Sequence, residues 1–469
     1  MRKLPLSLAL AALLWAQPAA AALTLEKLLD SSARHYPKVQ KSLAGIEVGQ
    51  GKVQAARGAF DWELNQKAIS RVSGFYSGDY AESQITRRLA DSAVRVHGGY
   101  RVSDGGFPVY EDELVTLDSG EFNAGITLSL WRNRIVDEER FQLRDSELEL
   151  EQRRVELLLT QLGVQYDAMQ AYFSWVAAGK ALKVSEGLLQ LAQQRQKGFK
   201  ARVARGDMAD IYLTENQQYI AKRSADVNEA RRQLENRATK LSLFWRDEDG
   251  NPVLPRAEDL PADFPVFKAL AINLGEEIER ARTLRPELIR LNLGMQRERN
   301  KMQLGENKLM PKVDLKVEGA RDIGDATAAQ RSRVGTEGKI GLSISIPLQR
   351  NTGEGLVKQS QNTLRQLEHD SRLLNDQIAT EIQIAANNYH VASENLKLAG
   401  KEISATLAME QAERERFEGG AVDYFVLNMR EERAGDARMK QVDAQLKLWL
   451  AIADYYLATL QAEKLRISS

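Results

Sequence analysis

The 469-residue sequence contains no cysteine, which excludes disulfide bonds, thiolate metal ligands and a lipid-modified N-terminal cysteine. Histidine is scarce as well, and the four that occur have none of the spacings that are typical of metal sites: His35, His97, His369 and His390. The glycine loops that hold phosphates or dinucleotides are also missing. We therefore expect no catalytic residues, no metal and no cofactor, and we expect that the protein is not an enzyme.

The sequence has no excess of charge of either sign. Lysine and arginine together number 65, as do aspartate and glutamate, so no basic surface is available for nucleic acid. Acidic runs such as Asp137-Glu138-Glu139 and Glu431-Glu432 are expected on solvated helix faces. After the N-terminal region no run of about 18 apolar residues occurs, which argues against a membrane-spanning helix there.

The N-terminal residues have the pattern of a secretory signal peptide. Arg2 and Lys3 precede an apolar run from Leu4 to Trp15, and the small residues Ala19-Ala20-Ala21 offer a cleavage site. A transmembrane anchor is the alternative, but the run is well short of the roughly 20 residues that a span needs. We predict a signal peptide over residues 1–22 and export of the chain.

Proline is missing from a long central stretch, between Pro108 and Pro252, that is rich in helix-favouring residues. Within it, apolar residues recur at alternating steps of four and three, as in helices that pack side by side: Val155, Leu159, Leu162, Tyr166, Met169, Phe173 and Val176. Gly206, in a polar setting, can reverse the chain. We therefore predict two long antiparallel helices that meet at a tip near Gly206.

The second half of the chain repeats this arrangement. Pro37 and Pro286 each open a helix that leads into an alternating segment and then a long proline-free helix, and Gly419-Gly420 marks a second tip. The second helix pair has its own seam: Ile378, Ile382, Ala385, Tyr389, Ala392, Leu396 and Ala399. We predict an internal duplication with a first repeat at 23–245, a proline-rich linker at 246–269 and a second repeat at 270–469.

Short segments next to the long helices alternate apolar and polar residues, as strands with one apolar face do. The clearest apolar positions are Phe122, Ala124, Ile126, Leu128 and Leu130 in the first repeat, and Val313, Leu315, Val317, Ile340, Leu342, Ile344 and Ile346 in the second. Trp62 and Leu64 begin a poorer candidate. Some segments have about ten residues, the length of a strand that crosses a bilayer at a tilt. We therefore expect about four membrane strands per chain.

Four strands cannot close a membrane barrel, because the smallest such barrels have about eight. Unpaired strand edges are not tolerated in lipid, so the edges must pair with further copies of the chain. Three copies would supply twelve strands in a ring with rotational symmetry. The expected fold class is an α+β membrane protein, in which long antiparallel helical hairpins form a periplasmic helical barrel and the strands contribute to a trimeric β-barrel.

The sequence resembles the TolC-type outer-membrane efflux proteins. The resemblance rests on a doubled order of motifs: Leu23-Thr24-Leu25-Glu26-Lys27-Leu28-Leu29, the helices at Pro37 and Pro286, the strand ends Leu128-Ser129-Leu130-Trp131 and Ile344-Ser345-Ile346-Pro347-Leu348, and the two glycine tips. It implies a homotrimeric channel-tunnel that contacts outer-membrane lipid and extends into the periplasm. It further implies a passive exit duct for efflux or secretion that docks on a periplasmic adaptor protein and an inner-membrane pump. The exported substrate and the class of pump stay open.

A periplasmic coiled-coil adaptor or scaffold protein is the alternative function, since adaptors also contain long helical hairpins. Such a protein would lack the alternating strands and would rarely duplicate the entire unit. Fractionation of the cell envelope separates the two hypotheses.

The first repeat differs from the second because its strand region is longer by about 32 residues. The segment Val94 to Val102 is expected to form one arm of an added hairpin, or the additional residues form an exposed loop. If they form a loop, deletion of residues 83–111 should leave trimers intact.

The two glycine tips are the candidate functional site, as a periplasmic gate or an adaptor-docking surface. Both are expected at the end of the tube away from the strands, where threefold symmetry would make rings of charge. The candidate residues are Arg205, Gly206, Asp207, Asp210, Glu418, Gly419, Gly420 and Asp423. Members of the family that the sequence resembles often have aspartates a few residues after the glycine tip of the second repeat. Glu418 and Asp423 do not match that spacing. Ordinary solvated turns are the alternative. If the tips form the gate, replacing Arg205 and Asp423 together should increase leakage of small solutes.

Overall fold

A computed structural model of the chain describes residues 22–74, 76–107, 114–266, 268–326 and 333–467. All but the last residue of the predicted signal peptide lies outside these ranges. The α-helices of the described chain are α1 (Leu25–His35), α2 (Pro37–Arg57), α3 (Glu138–Ala204), α4 (Ile211–Leu241), α5 (Leu274–Leu284), α6 (Pro286–Leu309), α7 (Asn351–Glu418) and α8 (Tyr424–Ala458). The strands are β1 (Glu63–Arg71), β2 (Gly78–Arg88), β3 (Val94–Gly105), β4 (Glu121–Ser129), β5 (Lys312–Asp322) and β6 (Thr336–Ser345).

The order of elements repeats, as the sequence predicts. Two helices and a set of strands precede the α3–α4 hairpin, and the same arrangement precedes the α7–α8 hairpin. Both α2 and α6 begin at a proline, which suits the first turn of a helix because the N–H that proline lacks would have no partner there. The internal duplication is therefore visible in the fold, although the two repeats contribute different numbers of strands.

The strands form one antiparallel sheet in sequence order, β1 to β6. Consecutive strands within a repeat pair directly, and β4 pairs with β5 to join the repeats. Because neighbouring strands run in opposite directions, the turn between β2 and β3 lies at the end of the sheet where the helices enter and leave. The other three connections between strands lie at the opposite end.

The sheet has six strands, two more than the expected four. The additional residues of the first repeat form the hairpin of β2 and β3, so the predicted arm from Val94 to Val102 is confirmed and the exposed-loop alternative is wrong. Ser83 and Arg87 occupy positions on the same face of β2 as Ile85, which blurs the alternation that reveals a strand in the sequence. Main-chain pairing on both sides of β2 holds it in the sheet all the same.

The long helices end at glycines. α3 has 67 residues and α7 has 68, which corresponds to about 100 Å for each helix at 1.5 Å per residue. Gly206 follows α3 with a φ of +80°, and Gly420 follows α7 with a φ of +73°, a region that favours glycine. At both ends the N–H groups of the glycine and of the next residue donate to carbonyls of the last helical turn, which is a Schellman motif. The two predicted reversals are therefore confirmed.

Contacts divide the chain into two units, and each contains segments of both repeats. The strand unit consists of the described residues within 42–157 and 286–375, and the helical unit consists of those within 22–41, 158–285 and 376–467. Both α3 and α7 contribute residues to the two units. The predicted repeat boundaries describe the order of the sequence rather than these units, and they stay a prediction.

The core of the helical unit lies along the predicted seams. Phe173 of α3 is fully buried and stacks on Trp449 of α8, with ring centroids 4.8 Å apart. In α7, Ile378 and Ile382 are fully buried, as their spacing predicts.

No helix in the described ranges has the length and apolar character needed to span a membrane. The predicted linker packs on the core through Phe264, so it is held against the helices.

Candidate functional site

One face of the sheet in the strand unit carries apolar side chains in every strand. The pairing places Val96, Ile126, Val317 and Ile340 in one row across β3 to β6. Further apolar members of this face are Leu64, Ala68, Ala81, Ile85, Phe122, Leu128, Leu315, Leu342 and Ile344. Many of these side chains are exposed, and Ile340 is 80% exposed. An exposed apolar surface of this extent marks a site where lipid or protein binds.

The opposite face of the sheet carries charged and polar side chains. Lys67, Glu82, Arg101 and Glu121 lie directly opposite one another in a row across β1 to β4. The charges in this row alternate in sign, which stabilises cross-strand neighbours. Arg101 Nη2 donates to Glu121 Oε2 at 2.7 Å. The sheet therefore has one face that suits lipid and one that suits water.

The sheet also has two open edges. In the described chain β1 pairs with β2 alone and β6 pairs with β5 alone, so one side of each strand offers free main-chain groups. The strands have nine to twelve residues, close to the length that crosses a bilayer at a tilt. Because lipid offers no hydrogen bonds, each edge requires a strand of another molecule in a membrane.

The candidate residues at the two tips lie in the helical unit and are exposed. Arg205 Nε donates to Asp207 Oδ2 at 3.0 Å, which is a pair within one tip. Asp423 precedes α8, and its carboxylate lies close enough to the phenol of Tyr212 in α4 that its charge raises the pKa of Tyr212. Tyr212 also contacts the ring of Tyr424 edge to face, with ring centroids 6.4 Å apart, so this aromatic contact joins the two tips, whereas Arg205 pairs within its own tip.

A buried aromatic cluster adjoins the tips. Tyr424, the first residue of α8, is 1% exposed and contacts Phe199 of α3 edge to face, with ring centroids 5.0 Å apart. Its hydroxyl donates to Asn216 Oδ1 of α4 at 2.8 Å, and the guanidinium of Arg195 lies over its ring. Burial raises the pKa of Tyr424, so the phenol stays neutral and keeps its proton for this hydrogen bond. Tyr424 therefore links the two helical hairpins.

Glu431 of α8 is fully buried, so the expected solvated position of Glu431-Glu432 is wrong for its first residue. Its carboxylate accepts a hydrogen bond from Arg195 of α3. Arg223 of α4 lies 3.5 Å from one carboxylate oxygen, and Arg414 of α7 lies 3.7 Å from the other. All four long helices thus contribute to one ion cluster inside the helical unit.

The sequence contains the signal for this buried carboxylate. Glu431 lies on a seam of α8 whose members are three and four residues apart: Tyr424, Leu427, Glu431 and Ala434. Asp137 was also expected in solvent, but it is 6% exposed and caps α3 by accepting a hydrogen bond from the N–H of Arg140. Within the described ranges, no group of three or more acidic or histidine side chains is placed to hold a metal ion.

No protein-family model matches the sequence, and no curated protein matches it. Solved structures match over nearly the entire chain. The outer-membrane channel OprN shares 16% identity with a TM-score of 0.65, over 93% of this chain and 89% of that chain. The outer membrane protein VceC from Vibrio cholerae shares 13% identity with a TM-score of 0.65, over 93% and 95%. The MtrE outer membrane channel of Neisseria gonorrhoeae, in its open state, shares 15% identity with a TM-score of 0.64, over 93% and 88%. The chain therefore has the fold of these outer-membrane channels, which is the fold class that the sequence predicts.

Proposed function

We propose that the protein is an outer-membrane channel of the TolC type and serves as a passive exit duct for efflux or secretion. The observation that carries the proposal is a sheet with one exposed apolar face and one charged face, in a chain that also contains two long helical hairpins. The apolar face suits the acyl chains of the outer membrane, and the charged face suits a water-filled lumen. The fold that the chain shares with OprN, VceC and MtrE supports this role.

The proposed channel is a homotrimer. The open edges belong to β1 and β6, which run antiparallel, so the β1 edge of one copy can pair with the β6 edge of the next. Such head-to-tail contacts form a closed ring when the rotation between copies closes on itself. Ring closure removes every edge, which is the condition for stability of a sheet in lipid.

The helix tips are the proposed periplasmic gate and the surface that docks a periplasmic adaptor, which links the duct to an inner-membrane pump. The rings of Tyr212 and Tyr424 join the two tips of one chain, and the buried cluster of Tyr424 and Glu431 connects the same hairpins. Near the tips, the two hairpins of a chain are therefore proposed to move together. An adaptor that binds one hairpin would displace both, and the energy for transport comes from the pump.

Fractionation of a bacterial envelope tests the proposal. The protein is expected in the outer-membrane fraction as a trimer that resists sodium dodecyl sulfate and dissociates on heating. Purified trimers should conduct ions across a planar lipid bilayer. Recovery as a soluble monomer in the periplasm, with no conductance, would overturn the channel and favour the periplasmic adaptor or scaffold.

A further inference from the structure

The hairpin of β2 and β3 lies inside the sheet and separates β1 from β4. β1 pairs with β2 along its whole length, and β3 pairs with β4 from Val94 to Arg101. Both arms continue the two faces of the sheet: Ile85 and Val96 lie on the apolar face, and Glu82 and Arg101 lie on the polar face. The hairpin therefore has the chemistry of the wall on either side of it.

The turn of this hairpin is anchored to the segments that lead into and out of the sheet. Arg88 forms ion pairs with Asp137, at 3.6 Å, and with Glu139 at the start of α3. Arg87 Nε donates at 3.0 Å to the carbonyl of Phe60, which lies in the connection between α2 and β1. These contacts hold the added strands at the level of their neighbours, as a wall requires.

We propose that three copies of this chain form a membrane wall of eighteen strands, because each contributes the six strands of its sheet. The inference rests on the proposed trimeric channel and departs from the twelve strands that four per chain would give. For strands about 4.8 Å apart and tilted by about 40°, a ring of eighteen has a diameter of roughly 36 Å between strand axes, against roughly 24 Å for twelve. The added hairpins thus make the outer end of the duct about half as wide again.

The hairpin of β2 and β3 can be deleted without separating the segments on either side of it. The N–H of Gly106 donates to the carbonyl of Ser77 at 2.7 Å, so the residues on either side of the hairpin are already neighbours. Excision of residues 78–105 leaves an even number of strands. It also keeps the apolar and polar faces continuous when β1 pairs with β4, because Lys67 of β1 and Glu121 of β4 lie in the same row of the polar face.

Cryo-electron microscopy of the detergent-extracted trimer tests the strand number. Eighteen strands in the wall are expected for the full-length chain, and the variant without residues 78–105 should form trimers whose wall narrows from roughly 36 to roughly 24 Å. A full-length trimer with a twelve-stranded wall would overturn this inference and leave the proposed function standing. A protein with no strands in the membrane would overturn both. As a matched control, deletion of residues 78–88 alone leaves an odd number of strands and should abolish trimers.

Spin labels on the full-length chain keep the test independent of whether the excision variant folds. Because the sequence has no cysteine, single labels can be placed at chosen positions. Ile85→Cys and Val96→Cys label the apolar face of the hairpin, and Gln84→Cys and His97→Cys label its polar face. Ile126→Cys, on the apolar face of the neighbouring β4, serves as the lipid reference. In liposomes, the labels on the apolar face should be relaxed by molecular oxygen as strongly as the reference, and those on the polar face by a water-soluble nickel chelate. Relaxation of all four hairpin labels by the chelate alone would place the hairpin outside the wall and overturn the inference.

Discussion

Glu431 of α8 accepts a hydrogen bond from Arg195 of α3 where neither side chain is more than 9% exposed. The carboxylate is the shared charge partner of arginines from three other helices, and it compensates much of the hydration that the buried Arg195 and Arg223 lose. Removing one member of a buried ion cluster leaves uncompensated charge, which costs far more than breaking an exposed pair. The contact therefore ties the stability of the helical unit to a single acidic residue.

Glu431→Ala is expected to destabilise the helical unit by about 3–5 kcal/mol, because it leaves Arg195 and Arg223 buried without their carboxylate. Denaturant unfolding of the detergent-solubilised protein, followed by circular dichroism, measures this loss. The matched control is Glu432→Ala, since Glu432 pairs with Lys222 at a partly exposed position and should contribute at most about 1 kcal/mol. Equal and small losses for the two variants would show that the cluster contributes little.

Tyr172 is expected to make the helical unit sensitive to alkali. Burial raises the pKa of Tyr172 to about 12, and its hydroxyl donates to the carbonyl of Leu23 at 3.0 Å. The contribution of Tyr172 to the free energy of unfolding is complete below about pH 10, near the pKa of tyrosine in the unfolded chain. It is lost as the pH rises towards 12, because the unfolded chain releases the proton first. The loss is on the order of 2 kcal/mol. In thermal denaturation measured at a series of pH values, the melting temperature of Tyr172→Phe should fall less steeply than that of the natural chain between about pH 10 and 12. Parallel curves would contradict this role of Tyr172.

Asp423 and Arg205 are expected to differ in their effect on the gate. Asp423→Ala removes the charge that acts on Tyr212 of the other tip, whereas Arg205→Ala breaks a pair within one tip. We expect Asp423→Ala to raise the closed-state conductance in a planar bilayer by at most about fivefold, because an exposed interaction contributes little to closure. The variant with both substitutions, Arg205→Ala and Asp423→Ala, should have the same closed-state conductance as Asp423→Ala alone. A rise of the same size in Arg205→Ala would show that the tip-to-tip contact has no special role.

Cysteine cross-linking is expected to locate the contact between copies at the open edges of β1 and β6. Asn65 of β1 and Ser343 of β6 both lie on the polar face of the sheet. Asn65→Cys should form a disulfide with a cysteine at position 341, 343 or 345 of a neighbouring copy, with the register deciding which, and covalent dimers and trimers should appear in denaturing gels. Leu342→Cys lies on the apolar face and should give no cross-link with Asn65→Cys, since side chains on opposite faces do not meet. Cross-links of equal yield at both faces would exclude this pairing.

The parts of the fold that the sequence predicts are those with a local pattern. The long helices, their glycine reversals and four strands follow from spacing within short windows. β2 has a weak pattern, because Ser83 and Arg87 share its apolar face and its place depends on the strands beside it. The contact of Tyr212 with Tyr424 joins hairpins from the two repeats, and no local pattern shows which of their surfaces meet. The glycine tips follow from a local pattern, as does the seam position of Glu431, whereas no local pattern shows that arginines of three other helices meet its carboxylate.

The pairing of β4 with β5 also has a consequence for the order in which the chain acquires its structure. The hydroxyl of Ser129 donates to the Asp314 carboxylate across a separation of 185 residues, a span that contains α3 to α6. The strands β1 to β4 are consecutive and can nucleate locally, as can β5 and β6, but their junction requires closure of a long loop and is expected to form late. Until the second repeat has been synthesised and exported, the four strands of the first repeat expose their apolar face, and the edge of β4 has no partner. The newly made chain is therefore expected to depend on chaperones that shield these four strands from aggregation.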